Sequence, residues 1–97
     1  MIQSFGHKLT EKVYNGDNNK QVQKHLPTEL HPKAQRLMFQ LDAMNDLSDI
    51  RQYPSAKLEK LQGDLQEYYS IRINDQWRLI FEWDGKHVNN LEIKDYH

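Results

Sequence analysis

The chain has no cysteine among its 97 residues, and only three prolines and four glycines. Without thiols, disulfides and thiolate metal sites are excluded, and a small unstapled protein suits a reducing, cytoplasmic setting. A strong excess of either charge is also missing. Residues 1–50 hold six basic and six acidic side chains, residues 51–97 hold seven and eight, and the formal net charge is −1. That balance counts against tight non-specific nucleic-acid binding but leaves room for a local basic patch. No apolar run approaches the roughly 20 residues needed to cross a bilayer, so no membrane association is expected. Met1-Ile2-Gln3-Ser4-Phe5 lacks the basic and apolar regions expected of a signal peptide. Zinc-protease, nucleophile-elbow and phosphate-loop motifs are absent, and Gly6, Gly16, Gly63 and Gly85 are scattered. His7, His25, His31 and His87 show no metal-ligand spacing. Neither a cofactor nor a metal is expected.

What remains reads as one α+β domain over residues 1–97, helical in its first half and built of strands and turns in its second. Ile2 to Phe5 is a candidate opening strand. His7 to about Asn15 carries Leu9 and Val13 on one helical face and stops at Gly16. Asp17 to Lys20 is a polar loop, and Pro27 and Pro32 punctuate the next stretch, so any turn of helix there is short or kinked. From Pro32, residues Ala34, Leu37, Met38, Leu41 and Met44 follow the i, i+3, i+4, i+7 rule of an amphipathic helix. Asp46 to Pro54 is mostly turn, and Lys57 to Gly63 is a loop or short extended piece.

The second half alternates with the period of strands. Tyr69, Ile71 and Ile73 share one face, and Tyr68, Ser70 and Arg72 the other. Trp77, Leu79, Phe81 and Trp83 continue the apolar face, as do Leu91 and Ile93 further on. The faces coincide only if the first hairpin loop is odd in length, which Asn74-Asp75-Gln76 satisfies. This pairs Ile73 with Trp77 and Ile71 with Leu79, and the same parity asks for an odd loop near Gly85 or a bulge. The expected product is a three-stranded antiparallel meander covered by the N-terminal helices.

That register sets Arg72 directly opposite Arg78. Like charges so placed destabilise a sheet, and two converging guanidinium forks suit a phosphate. The alternative is an ordinary polar face neutralised by Glu67, Glu82 or Glu92. The tail Lys94-Asp95-Tyr96-His97 brings a carboxylate, a phenol and an imidazole together. Histidine suits proton transfer near neutral pH, although a polar chain end is commonly just solvated.

The run Tyr69-Ser70-Ile71-Arg72-Ile73-Asn74-Asp75-Gln76-Trp77-Arg78-Leu79-Ile80-Phe81 and the ending Asp95-Tyr96-His97 resemble the RelE superfamily of bacterial toxins, in its HigB-type branch. Met1 to Phe5, Leu41-Asp42-Ala43 and Leu58-Glu59 through Gly63-Asp64 extend the resemblance along nearly the whole chain. It implies a RelE-like fold and a toxin of a type II toxin–antitoxin system. It further implies metal-independent cleavage of mRNA in the ribosomal A site, by attack of a ribose 2′-hydroxyl on the adjacent phosphate. The partners it implies are the ribosome, mRNA and a helix-turn-helix antitoxin of the HigA type, through which alone operator DNA is bound. By the same resemblance His97 transfers protons, Arg72 and Arg78 hold the phosphate, and Asp95 and Tyr96 complete the terminal catalytic group, with Tyr96 stacking or positioning. Glu59 and Gln62 stand where some members carry a histidine and a lysine, so Glu59 is a candidate base. Lys57, Lys60, Tyr68 and Lys94 are candidate RNA contacts. A ParE-like gyrase inhibitor and a non-catalytic co-repressor module are the alternatives on the same fold.

Overall fold

The computed structural model describes residues 1–96; His97, the expected proton-transfer residue, lies outside them. Helix α1 spans Lys8–Tyr14. The His7 ring accepts the Leu9 N–H at 3.0 Å and so caps its start, and Gly16 takes the left-handed turn beyond its end (φ +87°). Helix α2 spans Lys20–His25 and is capped by Asn19, whose side-chain oxygen accepts the Val22 N–H at 3.0 Å. It lies in the stretch before Pro27, where only a short or kinked helix is expected, and begins at Lys20, expected at the end of the polar loop. Helix α3 spans His31–Ala43, with Pro32 in its first turn where a missing N–H does no harm. It buries Ala34, Met38 and Leu41, the stripe that its periodicity marks. His31 at its head donates from Nε2 to the Leu26 carbonyl at 2.8 Å, which ties α3 to the end of α2.

A single turn of helix, α4 at Ser48–Arg51, stands where only turn was expected. It is too short to show a period in sequence, and aspartate side chains bonded to the backbone at and before its start hold it instead. Asp46 accepts the Ser48 N–H, and Asp49 accepts the N–H groups of Asn45 and Asp46. A 3-10 turn at Pro54–Ala56 follows and ends on Lys57 in the left-handed region (φ 48°).

The sheet is antiparallel with strands in sequence order: β1 Glu59–Lys60, β2 Tyr68–Arg72, β3 Trp77–Trp83 and β4 Val88–Asp95. The meander therefore gains a fourth, two-residue strand that alternation cannot reveal. The first hairpin has the expected register: Ile71 faces Leu79, and Arg72 faces Arg78. The Asn74 side chain accepts the N–H groups of Gln76 and Trp77 at 2.9 and 2.8 Å, which closes the three-residue loop.

Parity along β4 is restored by a bulge. Pairing shifts by one residue between Ile80 opposite Glu92 and Glu82 opposite Asn89, and Asn90 sits at φ 54°. The extra residue turns Val88 to the same side as Leu91 and Ile93, and all three are buried. With Ile71, Ile73, Leu79 and Phe81 they form the sheet's half of the core, against Val13, Val22, Leu26 and the α3 stripe. Residues 2–5 do not form a separate strand. Ile2 and Phe5 make isolated parallel bridges to Val88 and Leu91 on the outer edge of β4.

Candidate functional site

The site is built on the sheet face turned away from the core. Cross-strand pairing puts Arg72 beside Arg78 and Arg78 beside Lys94. Three cations therefore stand in one row across β2, β3 and β4. Among the described residues, no carboxylate lies within ion-pair distance of Arg78 or Lys94. Arg72 alone in the row has such a partner, the almost fully exposed Asp75 of the hairpin loop. Glu82, one of the expected neutralisers, is engaged elsewhere: it accepts from the Asn90 side-chain amide and lies opposite Tyr68. Tyr68 consequently titrates above the ordinary tyrosine range, first through burial and then through Glu82 and Glu92.

Arg78 is the most firmly held member of the row. Its Nε donates to Ser70 Oγ at 2.5 Å and its Nη2 to the Lys57 carbonyl at 2.8 Å. Its guanidinium carbon lies 5.8 Å from the centre of the Tyr96 ring, a cation–π distance. Tyr96 is half exposed and its backbone N–H donates to the Gln76 carbonyl at 2.6 Å, so the last turn of chain is stitched to the first hairpin. Arg78 and Tyr96 thus present a planar cation and an aromatic face side by side, a pairing able to take a phosphate and a stacked base.

The expected residues divide by face. Arg72, Arg78, Lys94 and Tyr96 come together. Glu59 lies opposite Ser70 in the register, two strands from Arg78 on the same side of the sheet. Tyr68 shares that side but lies four residues down β2 from Arg72, roughly 13 Å at the usual strand rise. Lys57 meets the site through its carbonyl. Lys60 is not grouped with them: it pairs with Tyr69, and its ammonium lies 4.5 Å from the centre of that ring, on the core side of the sheet's edge. Asp95 pairs with Trp77, also on the core side, and its carboxylate accepts from Gln76 Nε2 at 3.2 Å. Two contributors escaped the sequence reading, Ser70 and the backbone of Lys57. Ser70 had been placed on the correct face, but nothing local marks it as the partner of Arg78.

Known proteins share this arrangement of chain. Residues 3–97 match the family described as the RelE-like toxin of the type II toxin-antitoxin system HigB. The chain is 36% identical over 90 residues to Toxin HigB-1 of Vibrio cholerae, covering 92% of each protein. It is 26% identical over 97 residues to Endoribonuclease HigB of Proteus vulgaris, covering 100% of both. Among solved structures, the YoeB-YefM complex from Staphylococcus aureus matches with a TM-score of 0.61 at 23% identity, over 100% of this chain and 98% of that one. The fold and sequence define a RelE-like toxin of a type II toxin–antitoxin system. Within that class, the chain belongs to the HigB family.

Proposed function

We propose that this toxin is a ribosome-dependent endoribonuclease that cleaves mRNA in the A site, without a metal, by attack of a ribose 2′-hydroxyl on the neighbouring phosphate. The carrying observation is the Arg72–Arg78–Lys94 row with Tyr96 over Arg78. Such a row supplies positive charge where a phosphorane develops negative charge. The relative from Proteus vulgaris, named an endoribonuclease, supports the same chemistry. In this reading His97 transfers the proton to or from the reacting oxygens, Tyr96 stacks on a base, and Asp95 positions the tail. Glu59 is the alternative base. Lys57, Lys94 and, further out, Tyr68 contact RNA. Much of the substrate's orientation then comes from the ribosome.

The partner in this reading is a helix-turn-helix antitoxin of the HigA type, and operator DNA is bound only through their complex. The toxin works in the cytoplasm. That a related fold is known in a YoeB-YefM complex supports an antitoxin partner. Primer extension on translated messages, after brief expression without the antitoxin, tests the proposal. The expected result is new 5′ ends within codons, lost in Arg78→Ala. Intact messages beside inhibited gyrase supercoiling would overturn it.

A further inference from the structure

Among the described residues, three polar side chains are buried: Thr10, His31 and Ser70. Two of them serve the backbone. Thr10 Oγ1 accepts the Ile93 N–H at 3.1 Å, and His31 Nε2 donates to the Leu26 carbonyl. Ser70 differs, because its hydroxyl meets a functional side chain, the Nε of Arg78. It sits fully buried in the middle of β2, where a β-branched apolar residue would pack better. The second anchor of Arg78, the Lys57 carbonyl, comes from a non-glycine residue in the left-handed region, a conformation that carries strain and clusters at functional sites. Two locally unfavourable choices, remote in sequence, thus converge on one guanidinium.

We infer that Ser70 is a positioning residue for Arg78 and sets which edge of the guanidinium meets the scissile phosphate; this rests on the endoribonuclease reading. The Nε–H and one Nη2 proton are used on Ser70 and Lys57. Both Nη1 protons and the second Nη2 proton lie at the far end of the plane, spaced to grip two phosphate oxygens. Without the Ser70 hydroxyl, the group rotates about its last torsions and the Nε–Nη2 edge competes for the same oxygens. The charge stays in place while the geometry is lost. Ser70 therefore acts on the chemical step more than on RNA capture.

The test uses the full chain with ribosomes and a defined message. Ser70→Ala is expected to lower kcat by about tenfold or more with KM near the wild-type value, while Ser70→Thr, which keeps the hydroxyl, restores most of it. In an Arg78→Lys background, which lacks the fork, Ser70→Ala is expected to cause no further loss. A second readout needs no activity: the Arg78 Nε–H resonance in a nitrogen-15 spectrum is protected from exchange in the wild type and loses that protection in Ser70→Ala. Unchanged kcat in Ser70→Ala, or losses that multiply with Arg78→Lys, would overturn the inference. Should the wild type cleave no message, the functional reading falls, and the resonance still decides whether Ser70 fixes Arg78.

Discussion

The two faces of one sheet have opposite duties here, although successive residues of the same strands build both. Ile71, Leu79, Phe81 and Ile93 point inward and are essentially without solvent contact. Their immediate neighbours Arg72, Arg78 and Lys94 point outward and meet across the strands as like charges. The inner face stabilises, through burial of apolar area. The outer row opposes stability, since opposed cations repel, and binding of an anion there would relieve that repulsion. In this fold the hydrophobic face supplies the free energy that holds the cationic face together.

Substitutions that act on one face only sharpen this contrast. The largest effect is expected from Phe81→Ala, which empties a fully buried site and should lower stability by about 3–5 kcal/mol, read from urea unfolding. Arg78→Ala comes next and should invert the pattern. Ribosome-dependent cleavage falls by about 100-fold, as when one preorganised donor to a developing anion is removed, while the unfolding midpoint falls far less than in Phe81→Ala. A matched loss of stability in Arg78→Ala would break the division between faces. Asn90→Ala puts a β-carbon without the asparagine's local hydrogen bonding into the left-handed bulge. It should destabilise by about 1–2 kcal/mol, with Asn90→Gly closer to wild type.

The smallest effect concerns pH and again belongs to the inner side. His25 Nε2 lies 2.9 Å from the Thr10 hydroxyl that holds the Ile93 N–H. Burial, then the stacked His7, lowers its pKa to about 4. An unfolded histidine takes up its proton near pH 6.5, so the unfolded chain binds the proton first. The contribution of neutral His25 is therefore intact above pH 6.5 and is lost as pH falls toward 4. Unfolding midpoints at pH 7 and 4.5 should differ, and His25→Gln should narrow the difference.

Much of this division can be read from the residues alone. Parity and the three-residue loop suffice to set Arg72 against Arg78, because a one-residue slip would bury the arginines and expose Ile71 and Leu79. The same parity demands the correction that Asn90 makes. Other features have no local signal. Helix α4 and strand β1 are four and two residues long, shorter than any period that could announce them. The carbonyl of Lys57 reaches Arg78 from 21 positions away, because of where a 3-10 turn is packed. Lys60 and Asp95 have the right chemistry for the site, but the register sends them to the sheet's other side. Charge is visible in a sequence; the side of a two-residue strand is not.

The N-terminal bridges to β4 bear on how the molecule avoids its own kind. A free strand edge is a template for aggregation, and the first part of the outer edge of β4 is covered by the N-terminal residues. Val88 and Leu91 exchange hydrogen bonds with Met1, Gln3, Ser4 and Gly6, and Ile93 gives its N–H to Thr10. The opposite edge is β1, whose two residues are both charged. A second copy arriving edge-on finds two charged residues of strand at one border and, at the other, backbone already bonded at Val88 and Leu91. The row of cations thus stands on a sheet whose borders offer little backbone for extension.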